Sequence, residues 1–167
     1  MRFLMSNPTT SFTPRILSSK LKGVRGLGGS DGIIKILQQL QELKLVQFVN
    51  NNKAISLRDD RLLIRIFKKI CAICDLEGLQ EALEPISSKG ILFGSRATGM
   101  ARSDSDYDLL IVSDIPEEVR KTVTRHPLGK KIELFVYTPE EFIQIEKQDP
   151  ALSKLITKGI VMWGLEW

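Results

Sequence analysis

Apolar positions recur along this chain with two different periods. Ile33, Ile36, Leu37, Leu40 and Leu43 keep helical spacing, with Lys35, Gln38, Gln39 and Glu42 between them. That pattern predicts an amphipathic helix started by Ser30 or Asp31. A longer helix is predicted behind a cap at Asp59 or Asp60. Its stripe of Leu62, Leu63, Ile66, Phe67, Ile70 and Ile73 continues through Leu76, Leu79 and Leu83, and Pro85 ends it. Such a stripe has to be covered, while Arg61, Arg65, Lys68 and Lys69 fall off it and are expected in water. Shorter helices are read at 2–6, behind Thr13-Pro14, over about 117–124, behind Thr138-Pro139, and around Leu152, Leu155 and Ile156. Strands show the other period. Residues 46–49 and 54–57 flank Asn50-Asn51-Asn52, a hairpin turn that tolerates positive φ. The runs 91–93 and 109–112 are short, apolar and bounded by turn residues, as buried strands are. Residues 131–137 alternate, with Ile132, Leu134 and Val136 on one side and Glu133, Phe135 and Tyr137 on the other, and 160–163 close as a strand.

This order predicts an α+β chain in three parts. Residues 1–58 hold short helix, loop, longer helix and hairpin; 59–85 form a connecting helix; 86–167 form a small mixed sheet with flanking helices. The first part resembles a winged helix-turn-helix domain, with departures. Its Gly-rich loop at 23–29 is longer than the usual tight turn, and the longer helix offers Lys35, Gln38 and Gln39 but no Arg for bidentate guanine reading. Lys20, Lys22, Arg25 and Lys53 could meet phosphates. The alternative is a degenerate module used for dimerisation or for holding a partner. The Gly-rich loop has no strand before it, which a dinucleotide-binding loop needs.

The chemistry concentrates between two strands. Gly94-Ser95-Arg96-Ala97-Thr98-Gly99 follows the first, and Ser103-Asp104-Ser105-Asp106-Tyr107-Asp108 leads into the second. Strand side chains alternate, so Asp106 and Asp108 point one way and Tyr107 the other. Two same-side carboxylates repel unless a cation sits between them, and hard oxygen ligands suit Mg²⁺ or Mn²⁺. Small residues at Gly94 and Ser95 let backbone amides approach an anion. A phosphate cradle beside a divalent-metal pair is the equipment of phosphoryl or nucleotidyl transfer. Two acids do not finish a two-metal site, and Glu133, one carboxylate in an otherwise apolar strand, is the candidate third.

The line ILFGSRATGMARSDSDYDLLIV resembles the signature of the DNA polymerase beta-type nucleotidyltransferase superfamily, and within it the minimal nucleotidyltransferase group. The resemblance is specific over 90–112 and looser over 131–163. It implies Asp106, Asp108 and Glu133 as metal ligands and catalytic acids, although the third position more often holds Asp. It implies Gly94, Ser95 and Arg96 at the nucleotide phosphates, with Arg96 also readable as a solvent-facing turn residue, and transfer of an NMP, AMP from ATP first, to a hydroxyl. Relatives of this group include antitoxins that modify a HEPN-type partner protein. The winged-helix resemblance adds duplex DNA as a partner, and a homodimer is a further expectation. Three functions therefore stay open: an enzyme, a DNA-binding regulator whose nucleotidyltransferase domain senses nucleotide or is inert, and a scaffold half of a two-protein complex.

Bulk properties narrow this little. No apolar stretch is long enough to span a bilayer and no signal-peptide core follows Met1, so a cytoplasmic protein with no membrane partner is expected. Residues 1–85 carry 13 Lys/Arg against 8 Asp/Glu, while 86–167 carry 11 against 12. The excess leans the first half towards nucleic acid or towards a merely solvated basic surface. Cys71 and Cys74 have no second pair to complete a zinc site and are expected in the core.

Overall fold

The computed structural model describes residues 2–5, 7–8, 10–21 and 29–165. Residues 1–65 and 66–167 form two compact units. In the first, α1 (Arg2–Met5) precedes α2 (Pro14–Lys20), whose Ile16 N–H donates to the Thr13 hydroxyl at 3.3 Å. Helix α3 (Gly29–Glu42) begins ahead of Ser30 and Asp31, so neither is its cap; both lie in its first turn, where Asp31 suits the dipole. Its buried line is Ile33 and Leu37, while Ile36 and Leu43 are exposed. Those two lie about 60° or more round the helix from Ile33, so the covered stripe is narrower than expected. Strands β1 (Val46–Val49) and β2 (Ala54–Leu57) pair antiparallel around Asn50, Asn51 and Asn52, whose φ values are 52, 54 and 64°. Phe12 exchanges both backbone hydrogen bonds with Ile55, each 2.9 Å, which adds a third short strand position beside β2. The Gly-rich loop read at 23–29 lies outside the described residues up to Gly28.

Helix α4 (Leu62–Leu83) runs unbroken through Gly78. Asp60, offered as its cap, instead pairs with the Arg58 guanidinium at 2.9 Å. The buried line of α4 is Ile64, Lys68, Ala72, Leu76, Leu79 and Leu83, whereas Leu62, Leu63, Ile66, Phe67 and Ile70 are exposed. The expected stripe is thus inside at Leu76, Leu79 and Leu83 but outside over Leu62–Ile70. A repeat of four residues from Ile64 to Leu76 sets the inward line, and Lys68 falls on it. Its aliphatic stem packs inward, and its ammonium donates to the Ala101 carbonyl at 3.0 Å. Lys68, expected in water, is buried. Cys74 is exposed and Cys71 half-buried, both as free thiols, so neither is the core cysteine expected.

Strands β3 (Lys89–Phe93), β4 (Tyr107–Val112), β5 (Ile132–Tyr137) and β6 (Ile160–Trp163) form one sheet in the order β5-β4-β3-β6. Parallel β4 and β5 are joined through α6 (Pro116–Arg125), and the other pairs are antiparallel. This is the mixed α+β architecture expected of the sequence. Both faces of the sheet are covered. Leu92, Leu109 and Ile111 pack with Leu76 and Leu79 of α4 and with Val119 and Val123 of α6. Ile91, Phe93, Leu110 and Val112 pack on the other face. Their partners are Ile145 of α7 (Pro139–Gln148) and Leu152 and Ile156 of α8 (Pro150–Ile156). Full burial of a side chain such as Leu110 stabilises by about 1.5–3 kcal/mol. Thr138 and Glu141 close a reciprocal capping box at the start of α7, as the Thr-Pro-Glu-Glu run suggested. At Gly90 a Cβ would come within 2.3 Å of the Trp163 ring, so the glycine lets that ring lie against β3. Among the described residues, no helix is long and apolar enough to cross a membrane.

Candidate active site

Strand register brings the acids together. Parallel pairing of β4 with β5 sets Asp108 opposite Glu133, and antiparallel pairing of β3 with β4 sets Asp108 opposite Phe93. Residues two apart share a face, so Asp108 and Glu133 belong to the face of Leu110, Phe135 and Phe93. The Phe93 and Phe135 rings pack at 5.4 Å. Phe93 thus stands in one cross-strand row with the two acids, and the next row on this face, Ile91, Leu110 and Phe135, is apolar. Asp106, two residues before Asp108 and just ahead of β4, is exposed; Glu133 is exposed and Asp108 half-buried.

Burial raises the pKa of Asp108 above the ordinary carboxylate value. A hydrogen bond with the Glu133 carboxyl raises it further, followed by the negative charges of Glu133 and Asp106, while the Ser95 backbone N–H on Asp108 acts the other way. The donor set fits a hard divalent ion in kind: carboxylate oxygens only, two of them at paired positions of neighbouring strands. Among the described residues, no three His, Cys, Asp or Glu side chains already stand in a metal-holding arrangement. Asp108 and Glu133 are the pair set opposite one another, and Asp106 influences Asp108 through its charge.

Gly94 opens α5 (Gly94–Thr98) with φ at +68°. A Cβ built there would fall 1.8 Å from Asp108 Oδ2, so both the backbone conformation and the space require glycine. The backbone N–H of the next residue favours the charged form of Asp108. The Gly-Ser turn and the acid pair, read as separate pieces in the sequence, are in direct contact. Gly99, at φ +75°, caps α5 and sends the chain into the loop that carries Asp104, which is exposed.

Arg96 turns back onto this loop. Its Nη2 donates to the Ser105 carbonyl at 2.5 Å and its Nε to the Asp106 carbonyl at 3.2 Å. The same guanidinium lies 3.9 Å from the centre of the Tyr107 ring. Tyr107 itself is buried, and its hydroxyl donates to Asp75 Oδ2 at 2.8 Å. Sequence reasoning missed Lys68, Asp75 and Tyr107. Strand alternation does signal that the residue between two same-face acids must be held on the other face. Nothing in the sequence signals which residue of α4 meets it.

The residues read as nucleic-acid contacts belong to the first unit. Lys20, Lys35, Gln38, Gln39 and Lys53 are exposed. Lys35, Gln38 and Gln39 share one side of α3 at spacings of three and four residues. Lys22 and Arg25 lie outside the described residues.

A family model for the nucleotidyltransferase domain matches residues 76–160, half of the chain. The chain belongs to this nucleotidyltransferase family. The matched span contains Gly94, Ser95, Arg96, Asp106, Asp108 and Glu133, and Asp75 stands one residue ahead of it. No curated protein matches the chain. A crystal structure from Sulfolobus solfataricus, described as that of a "putative nucleotidyltransferase", is similar over 60% of this chain and 86% of its own, at 19% identity and a TM-score of 0.38. So slight a likeness decides nothing about the site. The nucleotidyltransferase domain is the frame in which the carboxylate row and the Gly94 turn have to be understood.

Proposed function

We propose that the chain moves an NMP, AMP from ATP in the first instance, onto a hydroxyl of a protein or other acceptor, with Asp106, Asp108 and Glu133 as the acids of the site. The observation that carries this reading is the paired register of Asp108 and Glu133 beside Gly94. A bound Mg²⁺ or Mn²⁺ would neutralise phosphate charge and lower the acceptor's pKa. Asp106, just ahead of β4, and Asp108 on it would hold such an ion together with Glu133 of β5. Gly94 and Ser95 receive the phosphates, and Glu133 is placed to accept the acceptor's proton. The acceptor oxygen then bonds to the α-phosphorus as the bond to the bridging α–β oxygen breaks, and pyrophosphate leaves. The test is label transfer from α-labelled ATP, with pyrophosphate release followed in parallel. Asp108→Asn is expected to abolish both, and a metal-independent signal that survives it would refute the reading. A protein acceptor of the HEPN type, as for antitoxin relatives, is tested by adding such a protein to the same assay.

A second reading concerns residues 1–58, ahead of a connecting 59–85 helix and a transferase domain at 86–167. The sequence of α1, Phe12 beside β2, α2, α3 and the β1–β2 hairpin supports a winged-helix-like module, with Lys35, Gln38 and Gln39 of α3 exposed. Duplex binding that survives Asp108→Asn would favour a DNA-binding regulator over an enzyme alone.

A further inference from the structure

We propose that Tyr107 is a positioning residue for Asp106 and Asp108, fixed at its hydroxyl by Asp75 and at its ring by Arg96. The inference rests on the nucleotidyl-transfer reading above. Tyr107 lies between the two acids in the chain and on the opposite face of β4, so the backbone that carries both acids cannot twist without moving it. Its ring is buried at 3% exposure. Its hydroxyl reaches Asp75 Oδ2 at 2.8 Å, and Asp75 stands on the rigid helix α4. The Arg96 guanidinium covers the ring at 3.9 Å and also holds the carbonyls of Ser105 and Asp106, the two residues just before it. One cation therefore grips both the ring and the backbone that carries Asp106. Lys68, also on α4, holds the far end of the loop through the Ala101 carbonyl at 3.0 Å.

This arrangement gives Arg96 a task different from phosphate binding. A phosphate-binding arginine matters once nucleotide arrives. A positioning arginine matters for the metal alone, because it sets where Asp106 and Asp108 point. Groups that orient metal ligands from outside typically alter metal affinity by about 10- to 100-fold.

The experiment uses the full chain and Mn²⁺ alone, with free Mn²⁺ followed by electron paramagnetic resonance. Thermal melting and amide exchange over residues 104–109 are measured on the same samples. Tyr107→Phe and Asp75→Ala should each weaken Mn²⁺ binding by about 10-fold. Their combination should be no weaker than either alone, since both remove one contact. Asp75→Asn, which keeps an acceptor for the hydroxyl, should restore near-wild-type affinity. Arg96→Gln should weaken Mn²⁺ binding with no nucleotide present. Exchange over 104–109 should speed up in Tyr107→Phe at an unchanged melting temperature. Wild-type Mn²⁺ affinity in both Tyr107→Phe and Asp75→Ala would overturn the proposal while leaving the transferase reading intact. Failure of the wild type to bind Mn²⁺, or binding that Asp108→Asn does not change, would overturn the transferase reading and the positioning role with it.

Discussion

Asp108 on β4 and Glu133 on β5 occupy paired positions of two parallel strands, and Glu133 helps to hold the Asp108 carboxyl above the ordinary carboxylate range. Two acids set opposite one another at the end of an apolar sheet face oppose folding at neutral pH. A sheet that keeps them there is arranged around something that both carboxylates can serve.

Substituting Asp108 by Asn should stabilise the metal-free protein at neutral pH. Because the folded-state pKa of Asp108 is raised, chiefly by burial and then by Glu133 and Asp106, the folded chain keeps its proton to higher pH than the unfolded chain. Stability therefore falls as pH rises from the ordinary carboxylate value to the raised one, and stays at the lower level above it. Partial exposure screens the effect. The expected rise in melting temperature is on the order of a few degrees, the response of a chain this size to about 1 kcal/mol. Melts in chelator from pH 4 to 8 check it, and a less stable Asn variant at pH 7.5 would contradict it.

Divalent ions should act in the opposite sense. Ligation of the folded state alone raises stability by mass action, about 2.7 kcal/mol at 100 times the dissociation constant. Mg²⁺ or Mn²⁺ should therefore raise the melting temperature of the wild type. Glu133→Gln, which removes one charge and keeps the side-chain length, should lose most of that increment. A full increment in Glu133→Gln would remove Glu133 from the ligand set.

Gly94→Ala should damage stability and activity together. The backbone there sits at φ +68°, and the added Cβ would overlap the Asp108 carboxylate. Strain of this kind costs about 1–3 kcal/mol. Urea unfolding should show that loss with an unchanged slope. Label transfer should fall to the level of Asp108→Asn even where the variant remains folded.

On the first unit, Lys35 and Lys53 give the winged-helix reading a quantitative form. If both meet phosphates, replacing each by Ala should reduce the slope of log affinity against log salt by about 1 for duplex DNA of any sequence. A slope that does not change would remove them from the interface.

Much of the second unit was legible because its signals are local. The apolar runs at 91–93 and 109–112 could hardly be anything but buried strands, and Thr138-Pro139 with Glu141 carries its own cap chemistry. The lone acid of the predicted strand at 131–137 falls opposite Asp108 in the register of β4 and β5, a pairing that strand assignment alone does not give. Helix α4 shows where such reading stops. Periodicity put Leu62–Ile70 on the inner face along with Leu76, Leu79 and Leu83, but packing covered Ile64, Lys68 and Ala72 in place of the first group. Hydrophobic count is a property of the segment; the covered face depends on what arrives from distant parts of the chain. Lys68 meets Ala101 and Asp75 meets Tyr107 across more than thirty residues, and no spacing rule reaches that far.

The burial of Lys68 also has an analytical consequence. Lys69, its neighbour, is half-exposed, whereas the Lys68 amine is tied to the Ala101 carbonyl beneath the loop. An amine-reactive reagent should acylate Lys69 promptly and Lys68 only when the loop lets go. The ratio of the two adducts in a mass spectrum is then a clock for loop opening, and it can be read with or without nucleotide.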